Sequence, residues 1–223
     1  MIRFGKLFLV VCLAVATATA QAQPYADEIK AFKKQDSLSP PSPNSILFVG
    51  SSSFRMWKDV GDYFPGYTII NRGFGGSTLL DVIGYEKDII FPYKPKQVVI
   101  YCGENDIAGD SSVTGKTVYK RLKKLFHDIR KRFPHVMITY ISIKPSPSRW
   151  HLRNKMMDGN RRIQKFLARR RPSPPSFFID VWNQMLGADG KPMPDIFIKD
   201  NLHMNEKGYA IWQKLIEPYL RKD

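Results

Sequence analysis

Cysteine is nearly absent from this chain, with two in 223 residues. Cys12 falls in an apolar run near the N-terminus, which leaves Cys102 alone in the body of the chain and rules out an internal disulfide there. A domain without disulfides has to rest on an ordinary hydrophobic core, and Cys102, at the end of an apolar run, reads as a small buried hydrophobe. Acidic residues are also scarce, 20 Asp and Glu against 35 Lys and Arg, for a net charge of +15. Long apolar runs are missing: the longest, Leu7 to Ala16, is about half the ~20 residues that a spanning helix requires. Neither H-E-x-x-H nor paired C-x-x-C occurs, so no metal ion and no other cofactor is expected. There is no G-x-S-x-G elbow, and no glycine-rich loop is followed by Lys-Ser/Thr.

The run from Leu7 to Ala16 follows Arg3 and Lys6 and precedes small residues. Ala18-Thr19-Ala20 and Ala20-Gln21-Ala22 both fit an A-x-A cleavage site, the pattern of a secretory signal peptide over residues 1–22. Export is expected, with the periplasm as destination and no integral membrane segment left after cleavage. Cys12 is not read as a lipoprotein anchor, because it lies inside the apolar run without small residues just before it. The positive charge gathers in Lys120 to Arg132 and Arg161 to Arg171. In the first stretch Val118, Leu122, Leu125, Phe126, Ile129 and Phe133 recur at helical spacing, so the basic residues form the opposite, solvated face. No exposed aromatics interleave with them in a known motif, and nucleic acid is not expected as a partner. Loose attraction to an anionic envelope or an acidic polysaccharide fits the charge.

Residues 23–45 read as a short leading helix, from Tyr25 to Lys34, and a proline-rich linker through Pro40, Pro41 and Pro43. One domain follows over residues 46–223. Its strands are Ile46–Val49, Tyr67–Ile70, Gln97–Cys102, Val136–Ile141 and Phe177–Val181. Helices include the basic one, stopped by Pro134, then Leu152–Ala168, ended by Pro172 to Pro175, and Glu206–Leu220, which Pro218 tightens or ends early. Continuously apolar strands separated by helices imply a parallel sheet covered on both faces. The expected fold is three-layer α/β/α with a five-stranded, flavodoxin-like parallel sheet.

Three strands end in unusual polar or glycine-rich turns: Gly50 to Ser53, Asn71 to Gly76, and Gly103 to Asp106. In a parallel sheet these turns meet along one edge, where ligands bind. Any of Ser51, Ser52 and Ser53 could be a nucleophile, or the serines could only cap a helix. Before the last helix, Asp200 and His203 are three apart, close enough for the carboxylate to accept the imidazole Nδ1–H and leave Nε2 free for a serine proton. Taken singly, Asn105 is a turn residue, Asp200 a surface charge, Asp106 a support of its own turn, and His127 and His135 surface residues. Arg149-Trp150-His151 follows the fourth strand, where it would overhang such a site.

Together these stretches resemble the SGNH hydrolases, also called the GDSL lipase/acylhydrolase family, with four motifs in the family's order over nearly the whole mature chain. Gly50-Ser51-Ser52 stands where the family has Gly-Asp-Ser, and Asn71-Arg72-Gly73-Phe74-Gly75-Gly76 resembles the second block. Gly103-Glu104-Asn105-Asp106 is similar to Gly-x-Asn-Asp, and Asp200-Asn201-Leu202-His203 to Asp-x-x-His. The resemblance implies Ser52 as nucleophile, His203 as base and Asp200 as its orienting acid. It implies an oxyanion hole of the Ser52 and Gly76 N–H groups with the Asn105 side-chain amide. Phe74, Arg149 and Trp150 are candidate substrate contacts. Ser51 replaces the family's aspartate, which is outside the triad. The resulting expectation is a secreted serine esterase acting on a small-molecule ester. The alternatives are an O-acetylesterase on acylated saccharides or a non-catalytic envelope- or carbohydrate-binding module of the same fold.

Overall fold

A computed structural model describes residues 24–170 and 174–222. The signal-peptide reading of residues 1–22 lies outside them, as do Pro172 and Ser173 of the expected proline break. Five strands, β1 (Ile46–Gly50), β2 (Ile69–Gly73), β3 (Gln97–Tyr101), β4 (Met137–Ile141) and β5 (Ser176–Ile179), form one parallel sheet. Their order is β2-β1-β3-β4-β5, the flavodoxin-like arrangement that the apolar strands and intervening helices predict. The helices are α1 (Ala26–Leu38), α2 (Ser52–Arg55), α3 (Val60–Tyr63), α4 (Leu79–Gly84), α5 (Glu86–Ile89), α6 (Glu104–Gly109), α7 (Gly115–Arg132), α8 (Arg153–Ala168) and α9 (Glu206–Ile216).

Alternate strand residues feed two cores. Leu47, Val49, Val98 and Ile100 pack with Val82, Val118, Leu122, Leu125 and Ile163 on one face of the sheet. Ile46, Phe48, Val99 and Tyr101 pack with Trp57, Phe64, Trp212 and Ile216 on the other. Each strand of such a sheet is buried on both sides, which is why β1 and β3 are apolar without alternation. On α7 the apolar spacing turns Val118, Leu122, Leu125, Phe126 and Ile129 inward, while Lys120, Lys123, Lys124, Lys131 and Arg132 stay exposed. Two of its arginines depart from that solvated face. Arg121 reaches Asp106 at 2.7 Å, and Arg130 donates to the Pro134 and Val136 carbonyls at 2.8 Å each. Pro218 does end the α-helical part of α9, and the chain continues as a 3-10 turn over Glu217–Tyr219.

The second strand starts two residues later and ends three residues later than its apolar residues suggest. Tyr67 and Thr68 precede it, while Asn71, Arg72 and Gly73 pair with β1. Arg72 is buried there because its charge is met: Nη2 bonds Asp36, Nε donates to the Tyr93 hydroxyl at 2.6 Å, and the guanidinium lies over the rings of Phe32 and Tyr93. Burial, followed by the hydrogen bond to Asp36, pushes the Tyr93 phenol up to about 12. Asp36 is on α1, which runs four residues beyond Lys34 and packs on the domain instead of only leading into it. Ile29 is in the core, and Tyr25 meets Phe74 edge-on at 5.3 Å. Glu28 Oε2 accepts the Gly75 N–H at 3.1 Å and pairs with Arg55 of α2 at 2.8 Å.

Trp212 is fully buried under the end of β3, 4.7 Å from the Tyr101 ring and 6.2 Å from Phe54. Truncating a buried tryptophan costs about 3–5 kcal/mol. Urea denaturation of Trp212→Ala is expected to show a loss in that range.

Candidate active site

β1 ends at Gly50, which is level with Gly73 of β2 and Tyr101 of β3. A Cβ on Gly50 would lie 1.8 Å from the Tyr101 carbonyl oxygen, and its φ is +145°, so only glycine permits this close approach. The next residue, Ser51, donates its N–H to the same carbonyl at 3.0 Å, and α2 starts at once. That abrupt turn sorts the three hydroxyls. Ser51 and Ser53 are buried, and Ser51, although it is the N-cap residue, makes no side-chain cap. Ser52 alone presents Oγ to His203, 2.8 Å from Nε2.

His203 comes from the loop before α9. Asn201 adopts a left-handed conformation (φ 55°), and Ile198 closes the turn by donating to the His203 carbonyl at 2.9 Å. Asp200 Oδ2 is 2.6 Å from His203 Nδ1, while Oδ1 accepts the N–H groups of Leu202 and His203 at 2.9 Å each. Burial would raise the Asp200 pKa, but these hydrogen bonds outweigh it and hold the carboxyl below its ordinary value. A carboxylate can only accept, so His203 carries its proton on Nδ1 and offers an Nε2 lone pair to the Ser52 hydroxyl. This arrangement can move a proton from Ser52 to His203.

Across from Ser52, Phe74 donates its N–H to the Gly50 carbonyl at 3.0 Å, and Ser77 Oγ donates to the same oxygen at 3.1 Å. These bonds fix the Gly75–Gly76 turn beside the end of β1. The two glycines differ. A Cβ on Gly75 would strike the Tyr25 ring at 2.2 Å, whereas one on exposed Gly76 would meet only Asn105 Nδ2, at an ordinary 3.8 Å. A methyl therefore fits at Gly76 itself, and it would occupy the space next to the Asn105 amide. Asn105 Nδ2 donates to the Ser77 carbonyl at 3.1 Å, and its Oδ1 accepts from Arg149 Nη1 at 2.8 Å. Ser52, Gly76 and Asn105 are thus brought to one edge by the ends of β1, β2 and β3.

Other residues fall differently. Phe74 is fully buried, packed on Tyr25 and Tyr85, so the expectation that it contacts substrate is corrected: the backbone turn faces the site and the ring faces the core. Trp150 is half-buried and stacks on Trp182 at 6.0 Å. His151, His127 and His135 are exposed. Asp106 reaches beyond its own turn, accepting the Leu79 N–H at 2.9 Å at the start of α4. Missed from sequence was a buried ionic cluster. Glu104 accepts from Lys144 Nζ at 2.9 Å and from the Tyr101 hydroxyl at 2.7 Å, with Arg149 at 3.5 Å. The only cue in the sequence is a lysine three residues after the expected strand Val136–Ile141.

The model of the GDSL-like Lipase/Acylhydrolase family matches residues 44–211. The chain belongs to that family, and with it to the esterase and acylhydrolase class of hydrolases. No curated protein matches. Among solved structures, a Streptococcus pneumonia protein named for platelet activating factor has a TM-score of 0.75 at 21% identity, covering 87% of this chain and 92% of that one. A GDSL-like lipase from Bacteroides thetaiotaomicron has 0.73 at 19%, covering 86% and 96%. A variant of an acetyl-xylooligosaccharide esterase from Geobacillus has 0.62 at 17%, covering 82% and 99%. At these identities the likeness shows the fold.

The depressed Asp200 pKa means that this carboxylate contributes stability above the ordinary carboxylate range, and that the contribution is lost as pH falls through its lowered value. Between about pH 5 and pH 3, the melting temperature of the wild type is expected to fall more steeply than that of Asp200→Asn. Parallel curves for the two proteins would mean that the Asp200 bonds do not contribute to folding.

Proposed function

We propose that the chain is a serine esterase working through an acyl-enzyme on Ser52, and the observation that carries this is the continuous Ser52–His203–Asp200 hydrogen-bond chain. Ser52 Oγ attacks the ester carbonyl carbon while His203 Nε2 takes the hydroxyl proton. The carbonyl oxygen gains the negative charge and is held by the N–H groups of Ser52 and Gly76 and by Asn105 Nδ2. As the intermediate collapses, the alcohol leaves with the proton from His203. Water then attacks the acyl-enzyme, giving its proton to His203, and Ser52 recovers a proton as the acid departs. Asp200 stays ionised throughout and stabilises the imidazolium between transfers.

Short acyl groups suit a site this open. The Asp200 side chain is 43% exposed, and Ser52 and His203 are only partly covered. A second reading, an O-acetylesterase on acylated saccharides, is supported by the likeness in fold to an acetyl-xylooligosaccharide esterase. The intact hydrogen-bond chain argues against a non-catalytic binding module. Secretion to the periplasm belongs to the same reading and is supported by the residue pattern of 1–22. Among the described residues no helix is long and apolar enough to cross a membrane.

Purified protein is expected to hydrolyse p-nitrophenyl acetate faster than the butyrate and octanoate esters, and to release acetate from acetylated xylooligosaccharides if the second reading holds. Ser52→Ala and His203→Ala should each lower kcat by several orders of magnitude. No turnover of any ester by the intact protein would sink the proposal. Gly76→Ala should keep the wild-type melting temperature while kcat falls by at least about tenfold, because its methyl occupies the oxyanion's space beside Asn105.

A further inference from the structure

Asn105 can serve an oxyanion only if its amide presents Nδ2 to the site, and an amide is free to turn over unless both ends are held. Here both ends are held. Nδ2 gives one hydrogen to the Ser77 carbonyl at 3.1 Å, leaving the second for a ligand beside Gly76. Oδ1 accepts from Arg149 Nη1 at 2.8 Å. In the flipped amide, NH2 would face a guanidinium and the carbonyl would face a carbonyl, so the flip is excluded by charge at both ends. A charge-assisted bond to Oδ1 also polarises the amide and strengthens Nδ2–H as a donor.

Arg149 is itself held from behind. It sits on the 3-10 turn Pro147–Leu152 after β4, its side chain 19% exposed, with Glu104 Oε1 at 3.5 Å. Glu104 is 4% exposed and would be costly to bury alone. Burial raises its pKa, but Lys144, Arg149 and the Tyr101 hydroxyl together reverse that and keep it ionised. Ser146 Oγ adds a bond to Oε1 at 3.3 Å. The same turn reaches the base loop, where the Ser148 N–H and hydroxyl both donate to the Asn201 carbonyl, at 3.1 and 2.9 Å.

We propose that Arg149 is a positioning residue of the oxyanion hole, held by the buried Glu104–Lys144 pair and acting through Asn105 instead of binding substrate. This inference rests on the esterase reading. Its test is a double-mutant cycle of Arg149→Met and Asn105→Ala, followed by p-nitrophenyl acetate turnover. Arg149→Met is expected to lower kcat by about tenfold to a hundredfold, within the ~10²–10³ that one oxyanion donor is worth. KM should stay within about twofold, and the double variant should be no slower than Asn105→Ala alone. Arg149→Lys, which keeps a cation on the turn, should be intermediate, and added guanidinium should restore part of the activity of Arg149→Ala.

Multiplying losses in the double variant, or a rise in KM with kcat unchanged, would overturn the proposal by making Arg149 an independent substrate contact. Unchanged kinetics would overturn it as well. The NMR resonances of the Asn105 side-chain NH2 give a readout without turnover: they should shift in Arg149→Lys and more so in Arg149→Met, and unshifted resonances count against the proposal. Absence of ester turnover by the wild type is a separate result, directed at the esterase reading.

Discussion

The site depends on the contact between Gly50 and the Tyr101 carbonyl. Parallel pairing sets Gly50 level with Gly73 and Tyr101, so the ends of three neighbouring strands stop at one height. A side chain at Gly50 would push β1 and β3 apart at this point. The N–H of Ser51 and the carbonyl of Gly50 then serve as anchors, one for the start of α2 and the other for the turn that carries Gly76. Ser52 and Gly76 are therefore placed by main-chain bonds at the rim of a close-packed sheet, whereas the Asn105 amide is held by side-chain hydrogen bonds. His203 arrives separately, on a loop closed by its own hydrogen bonds, and meets the rim through the Ser52–His203 and Ser148–Asn201 contacts.

Around this rim the molecule carries an expensive set of buried charges. Glu104, Lys144 and Arg149 lie behind the Asn105 amide, and Asp106 with Arg121 ties the adjoining helix to α4 and α7. Apolar residues of similar volume often do as well or better for stability than buried ion pairs. What charges add is directionality, since a carboxylate with three donors around it has few alternative arrangements. Rigid polar support is of most value where a single amide must keep one orientation.

Much of this was legible in the residues. The strands announced themselves because a sheet covered on both faces demands continuous apolar runs, and four short motifs at strand ends and before α9 marked Ser52, Gly76, Asn105, Asp200 and His203. What was not legible was settled by distant partners. Asn71 to Gly73 joins β2 because Arg72 finds Asp36 and Tyr93, residues far away in the chain. The short helices α4 and α5 have too few turns to show a period. Phe74, lying among glycines in a site motif, looked exposed, yet the turn's backbone faces the site and its ring the core. Lys144 carries no local mark of burial, since nothing nearby in the chain reveals that its partner is Glu104, 40 residues earlier.

The leading helix gives the fold an unexpected dependence. The family match begins at residue 44, after α1 has ended, and every strand of the sheet lies within it, as do Ser52, Asp200 and His203. Yet Glu28 on α1 clasps both the Gly75 N–H and Arg55, joining the turn after the second strand to α2. A chain starting at Asn44 would lose that clasp together with the Asp36 partner of buried Arg72 in β2 and the Ile29 contribution to the core. The family match therefore begins inside the folding unit, which takes in α1 as well.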